Sequence, residues 1–185
     1  MKNEEVTLTR ECPATVIPAG DMVNLPRGGK YQIAQALGGS VTLRDATAMY
    51  RVAPQDLDAL GEELHARIVV ETAQQEDGEA KPFGEDRVWD ALRGCFDPEI
   101  PINVVDLGLI YDLKLDQTKG NGHEVGVKMT LTAQGCGMGP VIAQDAQDRI
   151  QAIPEVEKAE VEIVWDPPWS PRMISEEGKQ ILGLT

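Results

Sequence analysis

A chain of 185 residues, 42% of them hydrophobic, has room for one ordinary domain or two small ones and enough apolar material to exclude wholesale disorder. Aromatic residues make up only 4%, so aliphatic side chains must fill the interior. The 31 Asp and Glu outnumber the 17 Lys and Arg, giving a net charge of −14; without a basic patch such a field repels polyphosphate and argues against a nucleic-acid partner, leaving solubility, or an acidic surface that meets a basic partner, as its use.

In the first part of the chain short apolar runs alternate with turn signals at PAGD (18–21), PRGG (26–29) and GGS (38–40). Between them the pattern predicts strands around Val6–Thr9, Val16–Ile17, Tyr31–Ile33, Val41–Leu43 and Met49–Val52. Strands at that spacing suggest a small β-sandwich, roll or barrel. Pro54 opens a helix in which Leu57, Leu60 and Leu64 share one face, and Ile68–Val70 reads as one more strand. The segment from Glu71 to Pro82, ETAQQEDGEAKP, is acidic and aperiodic and reads as a linker. It separates a β-rich N-terminal domain, residues 1–75, from a second domain, residues 82–185.

Downstream, Val88, Ala91, Leu92 and Cys95 fit one helix face, which Pro98 cannot continue. Residues from Leu107 to Leu115 alternate as a half-buried strand does, and those from Val125 to Leu131 do the same after the Gly- and Asn-containing link DQTKGNGH. Pro140 suits the first turn of a helix with Ile142, Ala143, Ala146 and Ile150 on its apolar stripe. Ala159–Trp165 gives a third strand, and Ser175 begins a terminal helix that Gly183 can end. The order α-β-β-α-β-α implies a hairpin followed by a crossover, hence a mixed three-stranded sheet. The whole chain is expected to be α+β, its β-rich N-terminal domain followed by this α/β domain.

The three cysteines, Cys12, Cys95 and Cys136, are an odd number with no CxxC spacing, which fits neither a disulfide framework nor a zinc or dithiol site within one chain. The N-terminus lacks the basic and apolar regions of a signal peptide, and no run is long enough to span a bilayer. A reducing cytoplasm is the expectation, without membrane association.

The most informative segment is TLTAQGCGMGP, Thr130–Pro140. A strand ends, glycines loosen the backbone, and a helix begins at Pro140 with Cys136 in the turn. Backbone N–H groups at a helix start favour an anion, so a thiol there is biased toward thiolate, the form that binds soft metals or attacks electrophiles. The alternative is a structural turn whose cysteine serves as a small hydrophobe. The Gly-rich turn lacks the Lys-Ser/Thr of a phosphate cradle. Asp97, Glu99 and Asp106 lie in the irregular crossing CFDPEIPINVVDLG, where carboxylates bind metal, act as bases or hold turns. WDPPWSP, Trp165–Pro171, is stiff and aromatic: a docking strip if exposed, a lid if packed. The two histidines, His65 and His123, are not placed by sequence beside Cys136, so a Cys–His hydrolase has no direct support.

DPEIPINVVDLGLIYDLKL, MTLTAQGCGMGP and IPEVEKAEVEIVWDPPWSPRMISEEGKQILGL resemble, in order and spacing, the metal–sulfur cluster assembly domain of PaaD-like proteins, from about Asp86 to Leu184. The first domain, with PAG, LPRGG, LGGSVTLRD and MYRV, resembles the N-terminal part of the SufT branch of that family. The resemblance implies an accessory, non-enzymatic role in iron–sulfur cluster assembly, with carrier, scaffold and client apo-proteins as partners. It implies that Cys136 is the reactive cysteine and ligand of a transient iron–sulfur cluster, and that Asp97, Glu99, Asp106 and Thr132 are further motif residues. Family members often carry proline beside this cysteine, as in TAPGCP; here Gln134 and Gly137 stand there, which makes a looser turn. Clusters ordinarily take four protein ligands, so one well-placed cysteine points to a homodimer or a partner that completes the set. A metal-free adaptor that scaffolds carrier and client, and a cysteine enzyme, are the rival readings.

Overall fold

The computed structural model describes residues 4–76, 82–120 and 122–184. The chain divides into two compact units, Met1–Ala80 and Lys81–Thr185.

Six strands form the first unit: β1 (Glu5–Thr7), β2 (Cys12–Ile17), β3 (Met22–Leu25), β4 (Lys30–Leu37), β5 (Ser40–Arg44) and β6 (Met49–Val52). They make one antiparallel sheet in the order β1-β4-β5-β6-β2-β3. β3 was not expected: its four residues, MVNL, bury only Leu25 and are too few to show a period. A 3-10 helix over Pro54–Leu60 is followed by Gly61, at φ 97°, and then by α1 (Glu62–Glu76). Leu57, Leu60, Leu64 and Ile68 are buried in one cluster with Ile33, Val41 and Leu43 of the sheet. Ile68–Val70 is therefore helical, a correction to the expected strand. Its β-branched run mimics strand composition, while Leu64 and Ile68 repeat at the i, i+4 spacing of a helix face. Glu71–Glu76, expected in a linker, continues α1; residues 77–81 of that segment lie outside the described residues.

The second unit contains α2 (Glu85–Arg93), β7 (Ile110–Gln117), β8 (His123–Met129), α3 (Gly139–Gln151), β9 (Val156–Ile163) and α4 (Glu176–Leu182). β7 and β8 form the hairpin; β9 returns parallel to β8, so the sheet is mixed, in the order β7-β8-β9. Val125, Val127 and Met129 of β8 are buried, as are Val88 and Leu92 of α2 and Ile142, Ala146 and Ile150 of α3. Each such aliphatic side chain removed from water contributes about 1.5–3 kcal/mol. The alternate β8 residues, Glu124 and Lys128, are exposed, so apolar packing falls on one sheet face.

Two boundaries move. α2 ends at Arg93, yet Cys95 beyond it is still fully buried, its thiol donating to the Ile142 carbonyl at 3.7 Å. β7 starts at Ile110 instead of Leu107, because Gly108 holds φ at 71° and the Leu107 N–H closes a turn onto the Asn103 carbonyl.

Candidate functional site

The turn that carries Cys136 leaves the end of β8 and enters α3. Its two ends are pinned together. Leu131 is buried, and a Cβ on Gly139 would stand 2.5 Å from its Cδ1 methyl, so a larger residue there would force the Leu131 side chain to shift. Met138 is 1% exposed, and the Gly139 N–H donates to the Cys136 carbonyl at 3.1 Å. Between these anchors Ala133, Gln134 and Gly135 are exposed. Gly135 adopts φ 80°, with nothing within 4 Å of where a Cβ would be. Cys136 is a free, half-buried thiol in this turn, whereas Cys12 and Cys95 are both at 0% exposure. The helix start is less rich in donors than the sequence suggests: Pro140 has no N–H, and that of Gly139 is already used.

The carboxylates expected nearby are engaged in the backbone. Asp97, 7% exposed, accepts the N–H groups of Glu99 at 2.8 Å and Ile100 at 3.1 Å, closing the turn around Pro98. Burial pushes its carboxyl above the usual range, the two N–H bonds opposing. Burial raises Glu99 as well, the Asp97 charge adding to it. Asp106 accepts from the Asn103 amide at 2.6 Å and the Ser175 hydroxyl at 2.8 Å, while its own N–H donates to Asn103 Oδ1 at 2.9 Å. Ser175 Oγ in turn accepts the Gly178 N–H, capping α4. Asp106 is thus the tie between the 103–108 turn and the terminal helix. Thr132 is half-buried in the loop. Two residues before it, Thr130 Oγ1 is buried without a hydrogen-bond partner. Among the described residues no three His, Cys, Asp or Glu side chains come together as metal ligands. One chain therefore offers a single accessible cysteine sulfur at this turn, too few donors to hold a cluster alone.

The sequence reading missed Asn103 and Ser175 as partners of Asp106. The Asn-x-x-Asp spacing is the available signal for the first, while the sequence around Ser175 signals only a helix start. Among the described residues no helix is long and apolar enough to cross a membrane.

A family model described as "Iron-sulfur cluster assembly protein" matches residues 85–163. The chain is 37% identical over 100 residues to the Fe-S protein maturation auxiliary factor YitW of Bacillus subtilis, covering 54% of this chain and 94% of that one. The chain belongs to the iron–sulfur cluster assembly protein family. A second member, the Fe-S protein maturation auxiliary factor SufT of Staphylococcus aureus, is 42% identical over 89 residues, 48% of this chain and 97% of that one. The crystal structure of a domain of unknown function, DUF59, from Bacillus anthracis is 35% identical, covers 55% of this chain and 92% of that one, and superposes with a TM-score of 0.49. The family match lies wholly within the second unit and includes the Cys136 turn, Asp97, Glu99, Asp106 and Thr132.

Proposed function

We propose that the chain is an accessory factor in iron–sulfur cluster assembly, a non-enzymatic protein that helps deliver clusters to apo-proteins through the Cys136 thiolate. The observation that carries this reading is the contrast among the cysteines: two are sealed in cores, and one stands half-exposed in an open glycine turn anchored at both ends. The names of its relatives, maturation auxiliary factors, support the role.

In this role the cluster is cargo. With one thiolate per chain, the remaining iron sites belong to a second copy or to a carrier protein, and the shared cluster is labile. Transfer is ligand exchange: a client cysteine thiolate bonds to iron as the Cys136 sulfur–iron bond breaks, with no change in electron count. Asp97, Glu99, Asp106 and Thr132 are supporting residues of the fold around the turn. A metal-free adaptor is the second reading, favoured by the absence of a three-ligand group among the described residues.

Anaerobic reconstitution with iron and sulfide, comparing the wild type with Cys136→Ser, tests both. The expected result is a labile cluster, lost in the variant, with solution mass rising as cluster forms. A stable cluster on a strict monomer that survives Cys136→Ser overturns the proposal. No cluster under strictly anaerobic conditions favours the adaptor.

A further inference from the structure

The second unit carries a surface that the Cys136 reading leaves unused. Opposite its buried face, the three-stranded sheet presents side chains in cross-strand rows: Asp112–Lys128–Glu162, Lys114–Gly126–Glu160 and Asp116–Glu124–Lys158. In the middle row Gly126 leaves bare backbone, with nothing within 4 Å of the place a Cβ would occupy. Glycine weakens a strand interior and is found where another backbone comes close. Toward the end of β8 this face opens into a depression of about 620 Å³, between Tyr111 and Lys128 of the sheet and Val164, Asp166, Pro167 and Met173 beyond β9.

The far wall is fixed in place before anything binds. Trp169 Nε1 donates to the Leu107 carbonyl at 2.8 Å, and the Tyr111 hydroxyl donates to the Pro167 carbonyl at 2.9 Å. A Cβ on Gly108 would stand 2.2 Å from the Met173 carbonyl oxygen, so the wall approaches the sheet as closely as glycine permits. Pro167 and Pro168 limit the backbone further. Such a wall loses little conformational freedom on association, which favours binding. The WDPPWSP strip is accordingly pinned at Trp169 yet exposed from Trp165 to Pro168.

We propose that this face docks an extended segment of a partner protein that carries cationic side chains beside aliphatic ones. The proposal rests on the reading of the chain as an accessory factor that meets other proteins. The depression itself is lined by Asp166 and Lys128; on the sheet face beside it Asp112, Asp116, Glu124, Glu160 and Glu162 outnumber Lys114, Lys128 and Lys158, with Lys114 and Lys158 already paired to Asp112 and Glu160, and the net charge of −14 adds a long-range attraction for a basic segment. Val164, Pro167 and Met173 offer the apolar wall for its aliphatic side chains. The Cys136 turn leaves β8 from the end at which the depression lies, so a segment seated there brings its protein to the thiol end of the sheet.

The test is an NMR titration of the isotope-labelled full chain with the peptide Ac-Lys-Leu-Lys-Leu-Lys-NH2 and its charge-reversed partner Ac-Glu-Leu-Glu-Leu-Glu-NH2. Shifts are expected for the basic peptide, concentrated over 108–112, 124–128 and 160–173. Exchanging Glu162→Lys and Asp166→Lys, both exposed and so without consequence for folding, is expected to weaken binding at least about fivefold, roughly 1 kcal/mol. Glu177→Lys on α4 is expected to leave it unchanged. Equal or tighter binding of the acidic peptide overturns the proposal by making Lys128 the anchor. Shifts spread evenly over the acidic surface, or none at millimolar peptide, overturn it as well. Cluster loading of the double variant, measured in parallel, reports on Cys136 separately: normal loading with lost peptide binding separates the two sites.

Discussion

The three cysteines differ in what surrounds them. The Cys12 thiol is pushed up to about 11 by burial, with the charge of Asp56 adding to it. Cys95 is enclosed between the end of α2 and the first turn of α3, its thiol on the Ile142 carbonyl. Iodoacetamide on the native chain is therefore expected to label Cys136 first, with Cys12 and Cys95 reacting only after denaturation; mass mapping of the labelled peptides checks this, and early labelling of Cys95 would contradict the packing. Cys95→Ala should cost stability on the order of 1 kcal/mol and leave cluster loading intact. Asp97 gives a pH prediction with a definite sign. Its carboxyl holds its proton more tightly folded than unfolded, so folding takes up protons and stability falls as pH rises from the unfolded value of about 3.9 through the raised folded one. Asp97→Asn keeps an oxygen for the Glu99 and Ile100 N–H groups and removes the titration. Between pH 4 and pH 7 the urea midpoint of the variant should then move upward relative to that of the wild type, and an identical change in the two proteins would show that Asp97 does not contribute.

At the scale of elements, the segment between β9 and α4 is held by backbone approach and by caps. Gly108→Ala meets both a φ of 71° and the Met173 carbonyl, so a loss of about 2 kcal/mol or more is expected in chemical unfolding, together with weaker binding of the basic peptide. Ser175→Ala removes the hydroxyl that caps α4 and reaches Asp106; a loss of about 1 kcal/mol without loss of peptide binding would mark the cap as a local matter. The helices and β8 were legible because apolar residues repeat at 3.6 or 2: Val125, Val127 and Met129 on one strand, Ile142, Ala146 and Ile150 on one helix. β3 and the Ile68–Val70 run were not. Four residues with one buried side chain are too few to show a period, and a β-branched run has the composition of a strand until the leucine spacing around it is weighed.

At the scale of the molecule, each of the two units has its own core, the first built around Ile33, Val41 and Leu43 and the second around Leu92, Met129 and Ile150. A fragment of residues 81–185 is expected to unfold cooperatively on its own, checked by circular dichroism against urea; a non-cooperative transition would mean that its core needs the first unit. The local sequence by itself determined the order of elements in the second unit, the glycine turn with Cys136 at the mouth of a helix, and the buried character of Cys95, because hydrophobic period and turn chemistry act over a few residues. Only the tertiary structure decided that Asp106 ties Ser175 across 69 positions, that the DPE carboxylate Asp97 serves its own turn, and that the Trp165–Pro171 strip walls an open depression instead of lying flat as a lid. Those outcomes depend on which distant backbone arrives beside each residue, and a one-dimensional pattern carries the period of a side chain without naming its neighbour across the sheet.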